Sequence, residues 1–258
     1  MDVEDVLQRT VEDGVATLVL NRPRQYNALS RALLDALHAE IDALARDETV
    51  SVIIVTGAGR AFCAGHDLKE LRAASAKEVE SLFMTCSAMM QKLTELPQPV
   101  IAAVNGIATA AGCQLVAQCD LAVASEDARF AVSGVNLGLF CSTPAVALSR
   151  NVSRKRAAEM LFTGDFIDAP TAFEWGLVNR LAPAERLMET TRELANNLKS
   201  KHREVLALGK ALFYRQLEAG LGAAYSDASR TIASNMSREV AREGVDAFLA
   251  KTPPRAKR

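Results

Sequence analysis

Apolar residues fall into two patterns along this chain: short, nearly uninterrupted runs, and longer stretches with an apolar residue every third or fourth position. Residues 15–20, 51–56, 100–104 and 121–124 are of the first kind and predict strands. The second kind begins at Ser30, a good N-cap, and predicts a helix to about Arg46 with Leu33, Leu34, Leu37, Ile41 and Leu44 on one face. Helices are also predicted at 76–95 and 109–118. Strands alternating with helices argue for an α/β fold with parallel strands. From Ser153 onward the pattern is helical, over 155–162, 169–175, 184–200, 203–218, 221–236 and 237–250. The change near residue 200 divides the chain into a core, 1–200, and a C-terminal helical region, 201–258, without a flexible linker between them. The tail 252–258 reads as disordered and solubilising.

Composition narrows the function classes. A chain of 258 residues, 49% hydrophobic, buries one large core or one domain with an appendage. A net charge of −1 with 24% charged residues gives no basic field for nucleic acid or an anionic membrane. No apolar run reaches the roughly 20 residues of a membrane helix. The first residues, Met1-Asp2-Val3-Glu4-Asp5, are acidic and lack the features of a signal or transit peptide, so a cytoplasmic protein is expected. Cys63, Cys86, Cys113, Cys119 and Cys141 have no C-x-x-C spacing and sit in apolar surroundings, which predicts reduced, buried thiols. With His38, His66 and His202 outside any ligand spacing, no metal site is expected.

Two segments carry the chemistry: Phe62-Cys63-Ala64-Gly65-His66-Asp67-Leu68, and Asn105-Gly106-Ile107-Ala108-Thr109-Ala110-Ala111-Gly112-Cys113-Gln114. Each follows a strand-like run and passes through small residues into a helix. Small residues let a ligand reach the backbone, and the first turn of a helix offers N–H groups with no intrahelical acceptor. Side by side, two such turns offer two converging donors, an oxyanion hole for the oxygen of an activated carbonyl. Either turn alone usually serves only strand–helix packing.

At these residues the chain resembles the crotonase superfamily, the enoyl-CoA hydratase/isomerase family, and the likeness covers nearly the whole chain. Asn21-Arg22-Pro23-Arg24-Gln25-Tyr26-Asn27-Ala28-Leu29 is similar to the family's first CoA loop. Residues 57–68 and 105–120 are similar to its two oxyanion segments. Leu161-Phe162-Thr163-Gly164-Asp165 and Trp175-Gly176-Leu177-Val178 resemble later markers. Residues 108–115 together with 134–144 resemble one subgroup of the family in particular. The resemblance implies a ClpP/crotonase-like β-β-α superhelix with a C-terminal helical subdomain. It also implies an acyl-CoA thioester as ligand, with coenzyme A part of the substrate and no separate cofactor. The donors would be His66 N–H and Ala111 N–H. Arg24, Arg60 and Lys69 would lie near the phosphates, the Ala64 backbone near the adenine, and Tyr26 beside the bend of the CoA. Phe248 and Lys251 would reach the same ligand from the C-terminal helix, in a homotrimer or hexamer. A lone lysine or arginine is ordinarily a solvated side chain; the matched set together points to CoA.

The acids do not match. The family's hydratases use two glutamates, and these positions align with Gln114 and Gly134. A third acid, used by dienoyl isomerases, aligns with Ser142. An amide orients water but exchanges no proton near neutral pH, and a positioned acid or base is worth roughly 10²–10⁴ in rate. Standard hydration is therefore not expected. The His66 imidazole should point away from a thioester that its own N–H binds. Cys141, Ser142 and Thr143 either line the acyl pocket or merely cap a helix, and Asp67 reads as a helix N-cap. Three readings stay open: thioester chemistry needing only the hole (isomerisation, decarboxylation or hydrolysis), a non-catalytic CoA-ester sensor, and RNA binding. The last is disfavoured because the helix at 30–42 carries mixed charge.

Overall fold

Parallel strands covered on both faces read as continuous apolar runs, and the central strands here follow that rule. In chain-order numbering, β1 (Leu7–Glu12), β2 (Val15–Leu20), β3 (Val52–Gly57), β5 (Val100–Val104), β7 (Leu121–Ser125) and β10 (Arg180–Ala182) form one sheet in that spatial order. Only the β1–β2 pair is antiparallel. A second sheet contains β4 (Ala61–Cys63), β6 (Ile107–Thr109), β8 (Arg129–Ala131) and β9 (Ile167–Asp168). The computed structural model describes residues 5–251, so the tail expected to be disordered lies outside the described residues.

The chain steps three times from the larger sheet to the smaller one, β3 to β4, β5 to β6 and β7 to β8, and returns each time through helix. The first return uses α1's successors: α1 (Arg31–Arg46) precedes β3, while α2 (Leu68–Ala73) and α3 (Ala76–Glu95) follow β4. The second uses α4 (Ala111–Gln118). The third runs through a 3-10 turn at Ser133–Leu137, α5 (Ser142–Asn151) and α6 (Arg154–Thr163) to β9, still in the smaller sheet, and then through α7 (Ala169–Glu174) to β10. This is the β-β-α superhelix that the resemblance implies. Ser30 caps α1, its Oγ accepting from Leu33 N–H at 3.2 Å, and Asp67 caps α2. The helix expected from 109 begins instead at Ala111, because Thr109 pairs with Ala131 and completes β6.

Alternation along the strands builds two cores. Ile53, Val55, Ala102, Val104 and Ala122 face the interior of the spiral, while Val52, Ile54, Ile101, Ala103 and Val123 face α8 (Leu187–Lys199) through Leu187, Leu194 and Ala195. Beyond α7 (Ala169–Glu174) and α8 come α9 (Arg203–Leu217), α10 (Leu221–Met236) and α11 (Glu239–Leu249). On these last helices Ala224 is buried and Leu206, Ala207 and Leu212 are half-buried, but Phe213, Leu217, Leu221, Tyr225, Ile232 and Phe248 stay exposed. Lys210 fixes α9 to the core: its ammonium donates to the carbonyls of Leu93 (2.8 Å) and Gln98 (2.9 Å) and to Asp120 Oδ2 (2.6 Å).

Candidate functional site

The two small-residue turns meet. Gly65 has φ +89°, a conformation that side-chain-bearing residues rarely adopt. A Cβ added there would lie 2.9 Å from Ala110 Cβ and 3.2 Å from Ala111 N, so the segments touch backbone to backbone. Thr109 Oγ1 donates to Ala64 O at 3.0 Å and locks them together. Leu29 binds the first turn on its other side, donating to Gly65 O (2.8 Å) and accepting from Asp67 N–H (3.2 Å), which leaves His66 N–H pointing away from that ladder. Ala111 is the first residue of α4 and has no intrahelical acceptor. Among the described residues neither of these N–H groups donates to a protein acceptor.

Ala110 sets the aim of the second donor. Its φ of 49° and ψ of −119° lie outside the ordinary regions for alanine, at a cost on the order of 1–3 kcal/mol. The ψ of a residue orients the following N–H, here that of Ala111. The fold holds the strained peptide by the Ala110 N–H bond to Ala131 O at 2.9 Å and by the Gln114 N–H bond to Ala110 O at 3.0 Å.

Two polar side chains in this region have buried atoms without a hydrogen-bond partner. Gln114 is only 5% exposed, its Oε1 is buried without a hydrogen bond, and its amide nitrogen donates to no protein atom. His66 has both ring nitrogens buried and unbonded, with the ring edge-on to Phe83 at 4.8 Å between centroids. Burial pushes the imidazole down to about 4, so it is neutral at pH 7. The neighbouring Asp67 is engaged elsewhere, accepting from Arg22 at 3.0 Å; burial opposes its ionisation, but Arg22 and the N–H groups of Lys69 and Glu70 hold its carboxyl below the usual range. The five cysteines are buried and free; desolvation raises Cys63, Cys86 and Cys113 to about 12, which makes them inert thiols.

The expected CoA residues divide into two groups. Tyr26, Arg60 and Ala64 come together: the Arg60 guanidinium lies 4.6 Å from the Tyr26 ring centroid and donates to its hydroxyl, and Ala64 N–H donates to Tyr26 O at 3.0 Å. Arg24, in the 3-10 turn Pro23–Gln25, and Lys69, on α2, are both exposed. Phe248 is 82% exposed and Lys251 is exposed, and among the described residues neither makes a side-chain hydrogen bond or ring contact with this group. The organiser of the loop escaped sequence reasoning. Asn27 is fully buried with φ 56°; its Oδ1 accepts from Arg22 N–H at 2.9 Å and its Nδ2 donates to Ala58 O (2.9 Å) and Ala61 O (2.8 Å). The usable signal was the residue type, since asparagine tolerates the left-handed region that this turn requires.

Gly134 and Ser142 bracket a tight loop. Gly134 N–H donates to Cys141 Sγ at 3.3 Å and Leu139 N–H donates to Gly134 O at 2.9 Å. A Cβ on Gly134 would lie 2.6 Å from Leu139 O and 2.8 Å from Cys141 Sγ. The position aligned with the second acid is therefore filled by the loop itself. Ser142 begins α5, exposed, with its hydroxyl donating to Phe140 O at 3.3 Å.

Two stacked sheets wound as a β-β-α spiral, with a pair of unpaired backbone donors where two turns cross, define a crotonase-fold protein. The chain belongs to the enoyl-CoA hydratase/isomerase family, whose model matches residues 10–258. The solved structure of an enoyl-CoA hydratase from Mycobacterium smegmatis is similar with a TM-score of 0.95 at 54% identity, covering 98% of this chain and 99% of that one. That of human enoyl coenzyme A hydratase domain-containing protein 3 gives 0.93 at 45% identity, over 97% and 99%. The rat mitochondrial enoyl-CoA hydratase domain-containing protein 3 is 48% identical over 244 residues, 94% of this chain and 81% of the rat protein. This is the subgroup that residues 108–115 and 134–144 resemble. The expectation of a cytoplasmic protein is corrected by the same comparison, because the rat relative is mitochondrial by name. A targeting address is a short segment read apart from the folded domain, so an acidic start and a globular composition do not decide compartment. No helix among the described residues is long and apolar enough to cross a membrane.

Proposed function

We propose that this protein binds acyl-CoA thioesters, the thioester oxygen accepting from His66 N–H and Ala111 N–H, and that it lacks ordinary hydratase turnover. The observation that carries this reading is the pair of unpaired N–H groups at the contact between Gly65 and Ala110–Ala111. Preorganised donors of this kind are each worth about 2.7–4 kcal/mol to a developing oxyanion. Arg24, Arg60 and Lys69 supply cations for the phosphates of the CoA, and Tyr26, with the Arg60 guanidinium beside its ring, flanks its bend. Gln114 and Gly134 supply no acid or base.

Gly65→Ala separates the two halves of this reading. The added methyl group meets Ala110 and the Ala111 N–H, and the positive φ disfavours it further. Calorimetry should show butyryl-CoA binding at least ~10-fold more weakly than to the wild type, because a charge-assisted or preorganised donor contributes about 1.5–3 kcal/mol. Free CoA, which has no thioester carbonyl, should bind nearly as before. Absence of any wild-type binding to acetyl-, crotonyl- or long-chain acyl-CoA would remove the proposal altogether.

Association of subunits forms part of the same reading. The exposed apolar residues of α9–α11 favour a trimer or a pair of trimers, in which Phe248 and Lys251 reach a neighbour's CoA site. Light scattering at micromolar concentration is expected to give a trimer or hexamer mass. A monomer mass would refute it.

A further inference from the structure

We infer that Arg22 is a positioning residue for the first oxyanion donor, polarising His66 N–H through a line of backbone hydrogen bonds. The inference rests on the thioester reading above and concerns what sets the strength of that donor. Arg22 Nη1 donates to Ala28 O at 2.5 Å. The N–H of the same peptide group, that of Leu29, donates to Gly65 O at 2.8 Å. The N–H of this second peptide group is His66 N–H. Both peptide groups are trans, so each N–H leaves on the side opposite its carbonyl. The line therefore runs from the guanidinium through two peptides to the donor.

A cation at the head of such a line draws electron density from Ala28 O and makes Leu29 N–H a stronger donor to Gly65 O. His66 N–H is strengthened in turn. The line is sheltered: the Arg22 and Asp67 side chains are 17% and 12% exposed, so charge there is screened less than at an open surface. Asp67 does not cancel the effect. It accepts from the other guanidinium nitrogen, Nη2, at 3.0 Å, and shares its own charge with Lys69 N–H at 3.1 Å. Holding the loop needs no charge, because Asn27 already binds Arg22 N–H, Ala58 O and Ala61 O, and the Leu29–His66 bridge holds the turn. The second donor has no cation behind it. The carbonyl of its peptide group, Ala110 O, accepts from Gln114 N–H.

The test compares the wild type, Arg22→Gln and Asp67→Asn as full chains. Glutamine keeps an N–H donor for Ala28 O and removes the charge; asparagine keeps the cap of α2 and removes the carboxylate that shares Arg22. Infrared difference spectra between unlabelled and carbonyl-labelled butyryl-CoA read the bound thioester stretch, which falls in frequency as its oxygen is hydrogen-bonded more strongly. Calorimetry reads affinity. In Arg22→Gln the band should move back toward that of the free ester, with butyryl-CoA bound about 3- to 10-fold more weakly and free CoA bound as by the wild type. In Asp67→Asn the band should lie at or below the wild-type frequency. An Arg22→Gln band at the wild-type position, an equal loss of free CoA affinity, or an Asp67→Asn band nearer the free ester would each overturn the inference. If Arg22→Gln does not fold, Asp67→Asn decides alone. Wild-type binding of butyryl-CoA with an unmoved Arg22→Gln band overturns only this inference; no wild-type binding overturns the thioester reading with it.

Discussion

Crotonyl-CoA hydration by this protein is expected to be at least ~100-fold slower than hydration by a relative that carries both acids, since each positioned proton-transfer group is worth about 10²–10⁴. Gln114→Glu places a carboxyl at a 5% exposed position with no protein cation bound to the side chain there, and burial will favour its protonated form. Adding Gly134→Glu should not complete the site. Its Cβ would meet the Leu139 carbonyl at 2.6 Å and Cys141 Sγ at 2.8 Å, so the 134–141 loop must open before any side chain fits. The double variant is expected to lose stability, by about 1–3 kcal/mol for a forced overpacking, without approaching an ordinary hydratase rate. Loss of the conjugated-enoyl absorbance, followed for the wild type and both variants, measures this. A wild-type rate like that of a two-glutamate enzyme would mean that another group moves the protons.

Lys210→Met is expected to destabilise the fold by about 3–5 kcal/mol, the usual result of removing one partner from a buried ion pair. The Lys210 and Asp120 side chains are 6% and 15% exposed. Burial lowers the Lys210 ammonium from its ordinary value despite the opposing pull of Asp120. Its loss strands two carbonyls, of Leu93 and Gln98, and leaves the Asp120 carboxylate with only Val100 N–H (2.6 Å) and the Tyr214 hydroxyl (2.7 Å). Urea unfolding at fixed protein concentration reads the change, and adding Asp120→Asn to Lys210→Met should recover part of it. A loss under ~1 kcal/mol would show that the pair is as weak as a surface bridge.

The long elements were legible because each carries its own local signal. The strand at 100–104 and the helices at 76–95 and 221–236 match the observed β5, α3 and α10, and Ser30 caps α1 as its residue type requires. The smaller sheet was not legible. Its strands are two or three residues long, too short for any periodicity, and exist only because β6 and β8 pair across a whole turn of the spiral. Strand β1 was missed for another reason: only Leu7 of its residues is buried, so an edge strand shows no apolar alternation.

The site divides along the same line. By itself the sequence determined the presence of two small-residue turns after apolar strands, the absence of acids at 114, 134 and 142, and the reduced, apolar setting of the cysteines, because these are matters of residue type. Only the tertiary structure decided that Gly65 touches Ala110 and Ala111, that Ala110 is strained so as to aim the Ala111 N–H, and that Asn27 ties the first loop to residues 58 and 61. It also decided that Gln114 is left without a partner and that the Gly134 position is closed by its own loop. Apart from the Gly134 loop, which folds back on residues 139 and 141, these facts depend on distances between segments tens of residues apart. Such contacts are fixed by packing and by the pairing of strands across the spiral, and no local pattern along the chain encodes them.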